Sequence, residues 1–342
     1  MRLASYNVEW FNALFDDSDG LVADDGPSGR HGVTRAEQLL GLGIVFTALD
    51  ADAVMIIEAP DQGDGRSTVA ALENFAAHFE LRARRALIGF PSESQQEIAL
   101  LYDPDALSAV HDPQGAPTGK GGSAEAPRFD GVFRAGPDEN GTEQKVTFAR
   151  PPLELLVETS GGTLFRMIGV HTKAKVPHGA RDADEAMRIA IENRRKQYAQ
   201  CIWLRQRIDA HLVEGEPLIV LGDFNDGPEL DAFEPLFPRS GVEVVLGWDQ
   251  PREMQLYDRH ARKALAKRLA AAPASARFQM PDGQYLSALL DYIMVSPDLL
   301  RRDPRWRIWH PFDDSACLNN PELRAALLAA SDHFPVTLDI AL

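Results

Sequence analysis

The sequence predicts an α+β fold in which antiparallel sheets are covered by helices, and three observations carry that prediction. Short apolar runs of strand length outnumber the amphipathic helical stretches, so the chain does not follow a strand–helix alternation. Several runs are separated only by short loops rich in Pro, Gly or Asp, which suit antiparallel neighbours better than parallel crossovers. Many of the runs also stop abruptly at a polar or charged residue, so the strand ends carry the chemistry. No linker divides the 342 residues, which read as one domain, 1–342, with insertions around 230–285 and 301–330.

The elements follow in order. Arg2 to Phe11 alternates loosely and predicts a first strand with Asn7 near its end. Asp16 to His31 is a polar loop, and Thr34 caps a helix whose apolar side is Leu39, Leu40 and Ile44. Asp52 to Pro60 is a buried strand closed by Glu58 and Pro60, and a carboxylate there is costly unless exposed or holding a cation. Thr68–Phe79 reads as a helix, and Leu81–Leu87 and Glu97–Leu101 as strands. The loops Asp112–Gly122 and Ala135–Gly141 are expected to be hairpin connections. Lys145–Arg150 and Leu153–Glu158 are expected to form one strand interrupted by Pro151-Pro152, and Leu164–Val170 runs into His171.

Asp182–Val213 is the longest helical pattern, with Ile189, Tyr198, Cys201, Ile202, Ile208 and Leu212 as its buried side and its basic residues as a solvated face. Leu218 to Leu221 is a strand buried on both faces, ending in Gly222-Asp223-Phe224-Asn225-Asp226-Gly227. That ending also reads as an Asx-rich turn, since Asp, Asn and Gly all suit tight turns. Arg259–Arg268 is a basic helical run, Leu289–Val295 a strand, Arg305–His310 an alternating strand and Pro321–Ala330 a helix. Ser331–Val336 opens a last strand expected to reach the carboxyl terminus.

The formal net charge of −16 argues against tight nonspecific binding to polyanions, although a local basic rim or bound cations would offset it. Cys201 and Cys317 lie far apart with no metal-ligand spacing, which predicts no disulfide framework and fits a reducing compartment. The amino terminus lacks a signal-peptide pattern, and no stretch has the apolar length of a bilayer span, so a cytoplasmic location is expected.

The polar residues at strand ends suggest a specific chemistry. Asn7, Glu58 and Asp332 are hard oxygen donors, too few to wrap a cation, which suits Mg²⁺ or Mn²⁺ with substrate phosphate oxygens completing the shell. The absence of a His-Glu-x-x-His pattern argues against a thermolysin-like zinc site. His171 and His333 can donate to a phosphate oxygen or exchange a proton. Asp223 and Asn225, two apart on an extended segment, would point the same way and hold a water. Asp291 shares a strand face with Ile293 and Val295, which would bury its carboxylate, and His333 is its natural partner.

Tyr6-Asn7-Val8-Glu9-Trp10, Ile57-Glu58, Phe148-Ala149-Arg150-Pro151-Pro152-Leu153, His171-Thr172-Lys173, Gly222-Asp223-Phe224-Asn225, Leu290-Asp291-Tyr292-Ile293 and Ser331-Asp332-His333-Phe334-Pro335-Val336 resemble the motif series of the endonuclease/exonuclease/phosphatase superfamily. They occur in that family's order and span nearly the whole chain. The Arg150 segment and His171 resemble the deoxyribonuclease I branch more than the abasic-site endonuclease branch.

The resemblance implies a four-layer α/β sandwich with two central, mainly antiparallel sheets and a divalent-metal phosphoester hydrolase site at their common edge. It makes Glu58 the principal metal ligand with Asn7 and Asp332 nearby. Asp223 would orient or deprotonate the attacking water, and Asn225 would hold water or phosphate. His171 and His333, the latter oriented by Asp291, would contact the scissile phosphate, and Arg150 would bind it or a neighbour. A phosphodiesterase or nuclease is the expected activity. The alternatives are a sugar- or lipid-phosphate monoesterase and a catalytically inactive binding scaffold. Lys173, Lys175, the basic run and the Arg/Trp alternation at 305–309 would form a nucleic-acid rim, against the plainer reading of a solvated helix face and a half-buried strand.

Overall fold

The computed structural model describes residues 1–63, 65–137, 143–227, 233–266, 272–280 and 283–342. Its strands and helices run β1 (Arg2–Asn7), α1 (Arg35–Leu49), β2 (Ala53–Ala59), α2 (Thr68–His78), β3 (Arg85–Ile88), β4 (Glu97–Tyr102), β5 (Leu107–His111), β6 (Phe133–Pro137), β7 (Glu143–Val146), β8 (Leu153–Thr159), β9 (Leu164–His171) and α3 (Ala183–Glu214). They continue through β10 (Leu218–Asp223), α4 (Gly241–Leu246), α5 (Arg259–Leu265), β11 (Ala276–Gln279), β12 (Tyr285–Ala288), β13 (Asp291–Val295), β14 (Arg305–Ile308), α6 (Ser315–Leu318), α7 (Pro321–Ala330) and β15 (Val336–Asp339).

Among the described residues, one sheet has the order β14-β15-β1-β2-β4-β3 and the other β13-β10-β9-β8-β5. Only β1/β2 and β9/β10 pair in parallel; the remaining neighbours are antiparallel. The period-2 alternation of strands explains the layering. In β2, Ala53, Met55 and Ile57 enter the core between the sheets, whereas Val54 and Ile56 face α1, α2 and α7. In β10, Ile219 and Leu221 face the other sheet, and Leu218 and Val220 pack under α3 and α4. Helices, sheet, sheet and helices therefore form four layers, and both sheets are apolar on both faces. Within the described residues no helix is long and apolar enough to cross a membrane.

Local chemistry sets the element ends that matter here. The Thr34 side chain accepts the Glu37 N–H while the Glu37 carboxylate accepts the Thr34 N–H, a capping box that starts α1. From α1, the buried Gln38 amide donates to the carbonyls of Val8, Glu9 and Ala330, which fixes the chain just beyond β1. On α1, Leu40 is exposed, and Leu39, Leu42, Val45 and Phe46 form the apolar side.

Several expectations are corrected. Pro151-Pro152 does not interrupt one strand: β7 pairs with β6 in a separate ribbon, while β8 belongs to the main sheet. Two consecutive residues without N–H groups cannot continue a ladder, so the chain leaves one sheet for another there. The segment Asp112–Gly122 is not a hairpin connection, because β5 pairs with β8. The loop expected at 135–141 begins inside β6, and its residues 138–141 lie outside the described residues. The last strand stops at Asp339. Cys201 and Cys317 are both free and buried.

The largest correction concerns α3. Arg194, Arg205 and Arg207 are buried, as are Trp203 and Leu204, whereas Ile189, Tyr198, Ile202 and Leu212 are only half-buried. The β5–β7 excursion covers this helix and stacks Phe129, Phe133 and Phe148 around Trp203. A covering loop brings carbonyls that need donors. Arg207 supplies them to Ala126 and Pro127 and reaches Glu154 on β8 at 2.7 Å.

Burial pushes the Glu154 carboxyl up to about 7 against the opposing pull of Arg207. Arg207→Leu would leave that acid buried without its cation, with an expected loss of about 3 kcal/mol in unfolding free energy. The deficit should be larger at pH 8 than at pH 6, because the uncompensated carboxyl is charged at the higher pH and takes up a proton at the lower. Urea denaturation at the two pH values checks both the size and the sign; equal deficits would show that Glu154 is not the cause.

Candidate active site

Three neighbouring strands of each sheet end at the same edge. The parallel pair β1/β2 brings Asn7 and Glu58 side by side, and the antiparallel β15 places its leading residues Asp332 and His333 next to them. In the other sheet, Asp223 at the end of β10 lies in register with His171 on β9 and with Asp291 on β13. Gly222 makes that register possible: at its φ of 141° a Cβ would stand 2.0 Å from the Val170 carbonyl oxygen. The requirement for glycine here is therefore steric.

The two sheets are stitched across this edge by side chains. The Asn7 amide donates to Asp223 Oδ2 at 3.0 Å, and His333 Nδ1 lies 2.8 Å from Asp291 Oδ2. Asp223 is 1% exposed. Its carboxylate accepts the Asn225 backbone N–H at 2.7 Å and the Asn225 side-chain amide at 3.3 Å. His171 Nε2 and His333 Nε2 stand 3.6 and 3.9 Å from Asp223 Oδ2. Burial raises the pKa of Asp223, while His333 pulls it down and Asp291 pushes it further up. Such an acid is a poor ion until partnered and a competent proton acceptor.

The histidines differ. His333 is pulled down by burial, but Asp291, Asp223 and Asp332 around it prevail and hold its pKa well above the usual imidazole value. His171 is driven well below that value by burial, with Arg150 and His333 adding repulsion. His333 is thus a cationic donor at neutral pH and His171 a neutral ring whose Nδ1 has no hydrogen-bond partner among the described residues. Ligand atoms of Asp223, Asp291 and His333 lie within 4.8 Å of one another. His333 Nδ1 is already held by Asp291, so this trio is also suited to handling a proton.

Glu58 sits on an irregularity of β2, where the register with β4 shifts between Ile57 and Ala59. Its φ is 63°, which turns the side chain out of the strand alternation toward the edge. Glu58 Oε2 accepts the Trp10 N–H at 2.9 Å. Its pKa is raised by burial, against which His333 and Arg150 act in part. Asp332 is likewise raised by burial, and Glu58 adds repulsion. The Asn7 Oδ1 accepts the Glu9 N–H at 3.1 Å, leaving a lone pair free. Two carboxylates raised together beside an amide oxygen fit a hard divalent cation, so the donor set is chemically suited to one.

Arg150 is anchored by donation to the Gln96 side-chain oxygen and feels both Glu58 and Asp223. Asn225 departs from expectation. Its φ of 46° places it in a left-handed turn and not on an extended segment, and its amide folds back onto Asp223 and the Thr172 carbonyl. The turn reading and the site reading of this stretch are both realised, since the turn is what orients the carboxylate.

Sequence reasoning missed four positioning groups. Glu9 accepts the Asp332 N–H at 3.0 Å and is paired with Arg30. Ser275 donates to Asp291 Oδ2 at 2.7 Å. Gln96 holds Arg150, and Gln197 on α3 donates to the carbonyls of Phe224 and Asn225. Only Glu9 carried a local signal, being two residues past Asn7 beyond a strand end. Two of the three features expected to form a nucleic-acid rim line one cleft of about 580 Å³, with Arg259 and Lys263 on one wall and Trp306 and Arg307 on another, whereas Lys175 is paired with Asp226. Arg307 is paired with Asp314, and the Trp306 indole donates to the Ile293 carbonyl. Those two side chains are therefore structural; Lys267 and Arg268 lie outside the described residues.

A sequence model of the endonuclease/exonuclease/phosphatase family matches residues 4–333. No curated protein sequence matches the chain. Among solved structures, the chain is similar to an endonuclease/exonuclease/phosphatase family protein from Bacteroides thetaiotaomicron, at 12% identity over 99% of this chain and 96% of that one, with a TM-score of 0.50. The human Nocturnin catalytic domain is similar at 15% identity over 99% and 93%, TM-score 0.50. A mannosyl-6-phosphatase from Bacteroides thetaiotaomicron VPI-5482 is similar at 12% identity over the full length of both chains, TM-score 0.50. Identities this low speak for the fold alone.

Proposed function

The chain belongs to the endonuclease/exonuclease/phosphatase family, and from that premise we propose that it is a divalent-metal-dependent phosphodiester hydrolase working by in-line attack of an activated water. The observation that carries the reading is the meeting, across two sheets, of Asp223 with Asn7, His171 and the His333–Asp291 couple. Asp223, oriented by three donors, takes the proton of the attacking water. As the water oxygen bonds to phosphorus, the bond to the leaving oxygen breaks and His333 supplies that oxygen with a proton. Asp291 and Ser275 hold the ring in place. His171 and Arg150 contact the nonbridging oxygens on which charge is spread, while Asn225 keeps Asp223 in place.

Glu58 and Asp332, with the Asn7 amide oxygen, would hold the cation. When bound, the metal polarises the phosphate and offsets the negative charge of the carboxylates. A diester is favoured because it enters with one negative charge, against a wall that already carries Glu9, Glu58, Asp223 and Asp332.

The test compares bis(p-nitrophenyl) phosphate, p-nitrophenyl phosphate and plasmid DNA, each with Mg²⁺, Mn²⁺ or EDTA. Hydrolysis of the diester that EDTA abolishes is the expected result, and plasmid nicking would extend the reading to a nuclease. One similar structure is named a mannosyl-6-phosphatase, so activity confined to the monoester would replace the diester reading. Absence of turnover on all three would instead favour a binding scaffold.

A further inference from the structure

We infer that Arg277 forms a second anion subsite beside the reacting centre, so that the substrate carries a further phosphate next to the one cleaved; this rests on the phosphoester reading above. Arg277 lies on the two-stranded ribbon β11–β12, whose root is fastened to the site. Its backbone N–H donates to the Asp332 carbonyl at 2.8 Å, and the Ser275 carbonyl accepts the Phe334 N–H. The neighbouring Phe278 ring packs edge-on against His333, with centroids 5.6 Å apart. Arg277 is therefore placed by the same contacts that place His333 and Asp332.

Its side chain lacks the carboxylate partner that Arg30 and Arg307 possess. Arg30 is paired with Glu9 and Arg307 with Asp314. Among the described residues Arg277 has no ion-paired carboxylate. Its guanidinium lies 3.4 Å from the centroid of the Tyr285 ring and 5.2 Å from that of Phe312. The register explains the stack, since Arg277 faces Ser287 and Tyr285 is its diagonal neighbour on the same ribbon face. Stacking fixes the plane of the guanidinium and leaves its N–H edge free, which is the arrangement that binds a phosphate bidentately at little entropic cost.

That edge borders a cleft of about 610 Å³ lined by Arg277, Phe278, Tyr285, Arg30, Glu9 and Asp332. Of the two acids on its wall, Glu9 is paired with Arg30, and Asp332 faces the protonated His333, whose Nε2 lies 3.9 Å from Asp332 Oδ1. A phosphate held near Asp332 for cleavage would thus have Arg277 as the unpaired cation facing its neighbour. The shared chemistry is a second phosphoryl group on one substrate, as on a nucleotide chain or a bisphosphorylated small molecule.

The experiment measures binding of thymidine 3′,5′-bis(phosphorothioate) and of the two thymidine monophosphorothioates, which resist hydrolysis, by titration calorimetry in Mg²⁺. Wild type, Arg277→Met and Arg277→Lys are compared, with thermal melting as the check on folding. Wild type is expected to prefer the doubly charged ligand by roughly ten- to a hundredfold, the value of one charge-assisted pair. Arg277→Met should abolish the preference and Arg277→Lys keep part of it. A wild type that binds all three alike or not at all, or a Met variant that keeps the preference, would overturn the inference. Turnover of bis(p-nitrophenyl) phosphate is measured on the same preparations. A wild type that turns over the diester but shows no preference sinks the subsite alone, and preference without turnover sinks only the catalytic reading.

Discussion

Replacing His333 with alanine is expected to lower kcat on a phosphodiester by about a thousandfold, the scale of a lost general acid and its charge. The prediction follows from geometry: Nδ1 is tied to Asp291 at 2.8 Å while Nε2 faces Asp223 and Asp332, each at 3.9 Å. The ring is held by one carboxylate and, in the proposed mechanism, would meet the leaving oxygen where charge develops. The substitution also strands Asp291, which is 1% exposed, so a stability loss of about 1–3 kcal/mol should accompany it. Melting curves therefore have to be run beside the kinetics.

Asp291→Asn is the discriminating companion. It keeps the shape but weakens the hold on the imidazolium, so it should move the basic limb of the pH–rate profile to lower pH as well as reduce kcat. The stability linkage has a definite sign. His333 is held above its usual value of 6.5, so its pairing stabilises the protein fully below the unfolded pKa and is lost as the pH rises through the folded one. Wild type should therefore lose more stability than His333→Ala on going from neutral to alkaline pH. A His333→Ala protein with near-normal turnover would remove His333 from the mechanism.

Glu58→Gln should cost about as much in turnover, roughly a thousandfold, together with at least a tenfold weakening of Mg²⁺ or Mn²⁺ binding. The second readout is needed because a missing charge and a displaced water give the same kinetic loss. Burial raises the Glu58 pKa and Glu58 in turn raises that of Asp332. In the metal-free protein the carboxylate is thus a liability above its own pKa. Without metal, Glu58→Gln should melt no lower than wild type at pH 8. With saturating Mg²⁺, wild type should rise above it, since binding to the native state adds stability. An unchanged metal-induced shift in the variant would assign the cation to other residues.

Much of the site was legible along the chain because strand ends announce themselves locally. An apolar run that stops at Asn7, Glu58, His171 or Asp223 shows where a sheet meets solvent, and the spacing of Asp291 from Ile293 and Val295 showed that its carboxylate points inward. Apart from the Asp291–His333 pair, contacts between two distant segments could not be read. Gln96 lies 54 residues from Arg150, and Ser275 lies 16 from Asp291. The arginines of α3 looked like a solvated face because charge periodicity says nothing about a loop that later folds over it. The turn at Asn225 was legible from its Asp, Asn and Gly residues, but not the contacts with Thr172 and Gln197 on other elements that hold it.

By itself the sequence determined which residues could do chemistry, where strands end and which faces are apolar, because these follow from side-chain type and a period of two or 3.6. Only the tertiary structure decided which histidine is charged, that both histidines face Asp223, and that Arg277 is left with no carboxylate among the described residues. Those properties depend on burial and on distances of a few ångströms between segments far apart in the chain, and charge energies change steeply over that range.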